Sequence, residues 1–343
     1  MRYVTNKKSK PTRYSLVYSK AEVCVHNGSV FLLVMADQGM ATTAKPGRIG
    51  LWCVPRSTST LLAKCLSAIE GIEVHLDVYS YASTFRGLYK TSTGKELPSD
   101  LIGNESVYEE ANDVWEKNVG NRDLIPRKTS YQTIKEDLEK ASAKYVLIKE
   151  MGVLPIDPKF YPEGYKFAFL IRDPSRVYVS ARKSMGAKYV ETGMVPSEAD
   201  YDLIRDDQLD SQPMKWFERE HALWKHVKAN IDPDPIIIDT SDIMSRPGPT
   251  IKAFCDAVGL PYSDGLLQMK PLTEMPSNFV TAAENLFTDM SAFYERAFKS
   301  TQIIPPKDVG PIPRDQLSDD VGRCVDYSMP FYREMFESRL HIP

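Results

Sequence analysis

No C-x-x-C pair occurs in this sequence. Its five cysteines (Cys24, Cys53, Cys65, Cys255 and Cys324) are scattered and odd in number. That excludes a disulfide framework and a zinc ribbon, and reads as reduced thiols inside a cell. Histidine is scarce, five in 343 residues, and no His/Cys/Asp cluster shows ligand spacing, so no metal is expected. No apolar run approaches the roughly 20 residues of a membrane helix. The only early one covers 30–36, and no signal-peptide core follows the basic start. The expectation is a cytoplasmic protein without a membrane partner; an organelle transit segment is the alternative left by the acid-poor start. Charge of either sign is not in excess: 43 Lys and Arg face 46 Asp and Glu, a net charge of -3 with a pI near 6.0. That argues against a general nucleic-acid binder, although basic residues are expected to cluster locally. Internal repeats and low-complexity tracts are also missing.

What is present is an ordinary globular composition, 42% hydrophobic and 26% charged. Residues 1–46 read as an N-terminal extension. Within it, Val23-Cys24-Val25 and Val30-Phe31-Leu32 flank His26-Asn27-Gly28-Ser29, an Asn-Gly hairpin pattern. Residues 47–343 read as a single domain with a C-terminal helical tail. Short apolar runs near 48–54, 72–76, 144–149, 165–171 and 235–239 have the look of buried parallel strands. Helical patterns lie between and after them, at 105–119, 129–142, 213–230 and 250–258, and a last short helix is expected at 330–340. The alternation predicts a three-layer α/β/α fold around a central, mostly parallel sheet.

Two strand-to-helix turns carry the chemistry. The first runs GRIGLWCV into Pro55-Arg56-Ser57-Thr58-Ser59-Thr60, and the second runs YKFAFLI into Arg172-Asp173-Pro174 with Ser180 in the following helix. Helix starts present unpaired N–H groups and a positive dipole end, so each turn is a candidate anion site. The first loop has neither the glycines nor the lysine of a Walker A loop, which argues against an ordinary ATPase. Two such sites on one sheet suit a nucleotide with anionic groups at both ends.

PRSTSTLL resembles the 5'-phosphosulfate loop of the sulfotransferases, and RDPSRVYVS resembles their 3'-phosphate motif. The likeness runs over residues 48–262, including the Gly-Leu-Pro after the late helix, and the tail VDYSMPFYREMFESRL resembles atypical members with a Pro-Arg-Ser loop. The resemblance implies a P-loop NTPase-like sulfotransferase fold. It also implies 3'-phosphoadenosine 5'-phosphosulfate (PAPS) as sulfonate donor and 3',5'-adenosine bisphosphate (PAP) as product. Arg56, Ser57, Thr58, Ser59 and Thr60 would take the 5' end, and Arg172 and Ser180 the 3'-phosphate. Thr58 stands where many members have glycine, and Arg56 where the animal cytosolic branch has lysine. That branch's catalytic histidine context is missing, so its substrate preferences do not transfer.

Removing a proton from the acceptor needs a general base near the end of the second strand. Ile72-Glu73-Val74-His75-Leu76-Asp77 offers two, His75 and Asp77. Members that use a carboxylate place it just after this strand, which favours Asp77; the same resemblance gives Lys149, at the end of the third strand, a role in stabilising the departing group. The acceptor is expected to be a small molecule, an apolar or aromatic alcohol or an amine. Its pocket is expected in the less regular segments 78–100, 185–225 and 263–304, with Tyr79, Tyr81, Phe85, Tyr89, Tyr189 and Tyr201 as aromatic surface and Trp216 and Trp224 as packing. The acidic stretch 197–207 reads as a solvated face or a lid. A homodimer is compatible with the sequence. The rival readings are a nucleotide-dependent phosphotransferase and a non-catalytic nucleotide-binding module.

Overall fold

The computed structural model describes residues 13–14, 21–26 and 29–34 of the N-terminal segment. From residue 47 onward it describes all but 208–210, 285–290, 306 and 309. The chain divides into two compact units, Met1–Ala41 and Thr42–Pro343. In the first, β1 (Arg13–Tyr14), β2 (Ala21–His26) and β3 (Ser29–Val34) form an antiparallel sheet. Val25 pairs with Val30 and His26 with Ser29, the register expected of the hairpin; the Asn27-Gly28 turn lies outside the described residues.

The second unit is built on six strands: β4 (Arg48–Cys53), β5 (Ile72–Leu76), β6 (Tyr145–Met151), β7 (Lys166–Ile171), β8 (Ile236–Asp239) and β9 (Phe279–Val280). Their order is β8-β7-β4-β6-β5-β9 and every pairing is parallel. Successive side chains on a strand enter opposite layers. On β4, Ile49, Leu51 and Cys53 join one hydrophobic cluster while Trp52 joins the other. The first layer holds α1 (Ser59–Leu66), α3 (Glu105–Val119), α8 (Pro247–Val258) and α9 (Ser291–Lys299). The second holds α4 (Tyr131–Lys140), α5 (Pro174–Glu191), α6 (Trp216–Asn230) and α10 (Asp319–Glu337). Both faces of the sheet are thus covered, as an all-parallel sheet requires. The short helix α7 (Thr240–Ser245) follows β8 directly. Among the described residues no helix is long and apolar enough to cross a membrane.

Three segments read as irregular contain regular structure. Residues 78–93 form α2 (Val78–Thr93), whose inner face is Val78, Ala82, Phe85 and Tyr89. That helical spacing is masked in sequence by Ser, Thr and Tyr, all modest helix formers. The segment 185–225 belongs largely to α5 and α6, and 263–304 contains β9 and α9. The last helix starts eleven residues before its expected position and carries Pro330 in its interior rather than at its start.

The aromatic acceptor surface is also corrected. Tyr79, Phe85, Tyr89, Tyr189 and Tyr201 are buried in the core, as are Trp216 and Trp224; only Tyr81 is half-exposed. The stretch 197–207 is fastened rather than loose. Arg182 donates to the carbonyls of Glu198, Ala199 and Tyr201, and Leu203 N–H donates to Asp320.

One buried carboxyl group stands out. Glu220 of α6 is fully buried, and neither carboxylate oxygen has a hydrogen-bond partner. Its Cγ lies so close to Gly152 that an added Cβ there would sit 2.9 Å away, so this position needs glycine. Burial pushes the Glu220 carboxyl well above its ordinary range.

Candidate active site

The carboxyl ends of β4, β5, β6, β7 and β8 lie along one edge of the sheet, and the connections from β4 and β7 leave in opposite directions, the switch point at which open α/β sheets bind ligands. The loop after β4 reaches α1 through two residues in the left-handed region, Arg56 (φ +63°) and Thr58 (φ +64°). Thr58 occupies the N-cap of α1 and makes no side-chain hydrogen bond to it, and the first turn contains no acidic residue. The leading amides of α1 therefore have neither an intrahelical acceptor nor a capping side chain. Ser57 is buried, and its hydroxyl donates to the Val54 carbonyl at 2.8 Å, so it braces the loop instead of facing outward. The Thr240 hydroxyl, at the start of α7, lies 2.7 Å from the Ser57 carbonyl and 3.0 Å from that of Ile171. It ties the loop to the ends of β7 and β8.

The second turn meets the first. Arg172 Nη1 donates to the Arg56 carbonyl at 2.7 Å, and Arg56 Nε donates to Ser180 Oγ at 3.1 Å. Asp173, however, caps α5 by accepting from the Ser175 amide at 2.9 Å. The start of α5 is thus capped from within, and the polar groups this turn presents are side chains, Arg172 and Ser180. Burial, then the charges of Arg176, Arg56 and Arg296, push the Arg172 guanidinium down to about 10. Burial and Arg296 lower Arg56 likewise. Positive charge gathers here, offset in part by Asp308, which pairs with Arg176 at 3.0 Å, and by Asp239 near Arg172.

Asp77 follows β5 in the left-handed region (φ +55°) and stands at the N-cap of α2, to which its side chain makes no capping bond. Its carboxylate is held from two sides. Lys149 Nζ donates to Oδ1 at 2.7 Å and the Tyr294 hydroxyl to Oδ2 at 2.6 Å. Asp77 and Lys149 are each 1% exposed. Burial pulls the Lys149 ammonium down, but the charge and hydrogen bond of Asp77 outweigh it and hold the group above its ordinary value. Glu150 performs the capping that Asp77 does not, accepting from Tyr79 N–H at 2.7 Å, from the Ser80 hydroxyl and from Met151 N–H at 2.8 Å. Burial, with the nearby Asp77 charge, raises Glu150 to about 7.

His75 is not part of this group. It shares a face of β5 with Glu73, whose Oε1 lies 2.7 Å from His75 Nε2, and burial lowers its pKa.

No family model and no curated protein matches the sequence. Among the solved structures similar to it are these three. The sulfotransferase domain from the curacin biosynthetic pathway shares 15% identity over 83% of this chain and 98% of that one, with a TM-score of 0.42. The sulfotransferase domain from the Synechococcus PCC 7002 olefin synthase shares 15% over 87% and 97%, with a TM-score of 0.40. Mouse sulfotransferase SULT7A1 complexed with PAP shares 14% over 92% and 98%, with a TM-score of 0.44. All three are sulfotransferases.

Sequence reasoning missed Tyr294, Arg296 and Lys64. Lys64, in the last turn of α1, is buried and donates to the carbonyls of Ala297 (3.2 Å), Phe298 (2.6 Å) and Ser300 (2.7 Å). It caps the carboxyl end of α9 and so fixes the helix that carries Tyr294. The signal was the aromatic pair Tyr294 and Phe298, four residues apart and therefore on one helical face. Among the described residues no group of three or more His, Cys, Asp or Glu is placed to hold a metal ion.

Proposed function

We propose that the protein transfers a sulfonate group from PAPS to a hydroxyl or amine of a small-molecule acceptor. The observation that supports this best is the meeting of Arg56 and Arg172 beside an uncapped helix start, each guanidinium crowded by like charge. A donor with an anionic group at each end offsets that repulsion at both arginines and gives the α1 amides their missing acceptors. The donor residues fit on these grounds. Arg56 and the amides of the loop take the 5' end; Arg172 and Ser180 take the 3'-phosphate.

PAPS supplies the sulfonate and a stable leaving group, and the protein supplies position and charge. Asp77 takes the acceptor's proton, with Lys149 fixing the carboxylate and placing positive charge beside it. Glu150 anchors the start of α2 so that Asp77 is not drawn into capping it. His75, engaged with Glu73, has no part in the step.

Titration calorimetry with PAP, run beside ADP and ATP, tests the donor. Micromolar binding of PAP alone is expected. Preference for ATP would move the protein to the phosphotransferases, and binding of PAP without sulfation of any acceptor in a broad screen would make it a binding module.

A further inference from the structure

Both oxygens of Asp77 are engaged: Lys149 holds Oδ1 and the Tyr294 phenol holds Oδ2. The carboxylate is 1% exposed and Tyr294 only 7%, so the phenol closes the approach to Oδ2. Its ring packs on Phe298 with centroids 5.5 Å apart. Lys64 pins three carbonyls at the end of the same helix, which keeps Tyr294 in place. The donor loop lies at the same edge of the sheet, since it follows β4 as Asp77 follows β5 and all strands of this sheet run parallel.

We propose that Tyr294 is the residue that makes this site discriminate against water. Its hydroxyl occupies on Asp77 Oδ2 the hydrogen-bonding position that an acceptor hydroxyl takes in the reaction. Water is too weak a competitor to dislodge a packed tyrosine, whereas an acceptor brings its own apolar contacts to the exchange. The inference rests on the proposed sulfotransfer with Asp77 as base. The reaction so prevented is hydrolysis of the donor. A water oxygen would bond to sulfur, the bond between sulfur and the phosphate oxygen would break, and Asp77 would take the water proton. PAP and sulfate would leave.

The experiment needs no acceptor. PAPS alone is incubated with wild type, Tyr294→Phe, Tyr294→Leu and Tyr294→Phe/Asp77→Asn, and released sulfate is measured; PAP affinity of each is taken by calorimetry. Losing one hydrogen bond to a charged group corresponds to about tenfold or more, so hydrolysis by Tyr294→Phe should rise by at least about tenfold and fall back in the double variant. Unfolding of the unliganded proteins in urea gives a readout independent of turnover. The two single substitutions, Tyr294→Phe and Asp77→Asn, should be non-additive, as for directly bonded partners. Unchanged or slower hydrolysis in both Tyr294 variants with PAP binding intact would overturn the inference and leave the sulfotransferase reading standing. No binding of PAP by wild type would remove that reading, and the inference with it.

Discussion

Arg172 donates through Nη1 to the main-chain carbonyl of Arg56 at 2.7 Å, joining two strand ends that lie 116 residues apart in sequence. The bond holds a loop whose own backbone is held in an unfavourable conformation. Among the described residues, four non-glycine residues have positive φ, and three of them, Arg56, Thr58 and Asp77, are in this site. Strain concentrated in this way persists only where the surrounding structure over-determines it.

Arg172→Ala should lower the affinity for PAP by about 10- to 100-fold, the loss of a charge-assisted contact. Acceptor affinity should change little. Calorimetry on the variant checks this, and full retention of PAP binding would remove Arg172 from the site.

Thr58→Gly should stabilise the protein. A β-branched residue at φ +64° is strained, and relief of that strain exceeds the entropy glycine adds to the unfolded chain. The urea midpoint should rise by an amount equivalent to about 0.5–1 kcal/mol. A lower midpoint would mean that the Thr58 side chain stabilises the loop.

Much of this was legible beforehand, for physical reasons. Buried parallel strands are short apolar runs, and the five long enough to show that pattern were found within two residues of their ends. β9 has two residues and no pattern to show. Arg56, Arg172 and Ser180 stood out because Arg and hydroxyl residues after an apolar strand have few structural reasons to be there. Tyr294 was hidden because its importance comes from a partner 217 residues away. The core tyrosines misled for the opposite reason: a side chain with an apolar ring and a polar tip serves a pocket and a core equally well. Glu150 gave no sign of its role, since capping a helix from a neighbouring strand has no sequence spacing.

Asp77→Asn should nearly abolish turnover, and it should also destabilise the fold. It leaves Lys149 buried without its counter-charge, a loss of about 3–5 kcal/mol when one partner of a buried pair is removed. The double variant Asp77→Asn/Lys149→Met should recover much of that stability and none of the activity. Denaturation in urea beside sulfate transfer separates the two effects. Activity of Asp77→Asn equal to wild type, corrected for folded fraction, would end its assignment as base.

Glu220 sets a pH dependence of stability. Its native pKa lies well above the ordinary 4.5, so above that value the folded state holds a proton that the unfolded state has released. Stability from this group is present at low pH and is lost as pH rises through the native pKa. Glu220→Gln removes the ionisation. Between about pH 5 and pH 8 the variant's urea midpoint should pull progressively ahead of wild type, and the gap should close below about pH 4. A gap constant with pH would show that the Glu220 pKa is the same in the folded and unfolded states.

The contacts that complete the site span most of the chain: Arg56 with Ser180 across 124 residues, Asp77 with Tyr294 across 217, Lys64 with Ser300 across 236. On the ribosome, the loop after β4 is therefore made long before Arg172, Ser180 and Thr240, which tie it to the rest of the sheet. A nascent chain ending ahead of α9 has its donor loop and its carboxylate, but lacks the phenol on Oδ2 and leaves Lys64 without carbonyls to cap. Contacts of such separation slow folding, because loops must close before they are rewarded. The last helices made thus govern when the earliest-made residues of the site acquire their final geometry.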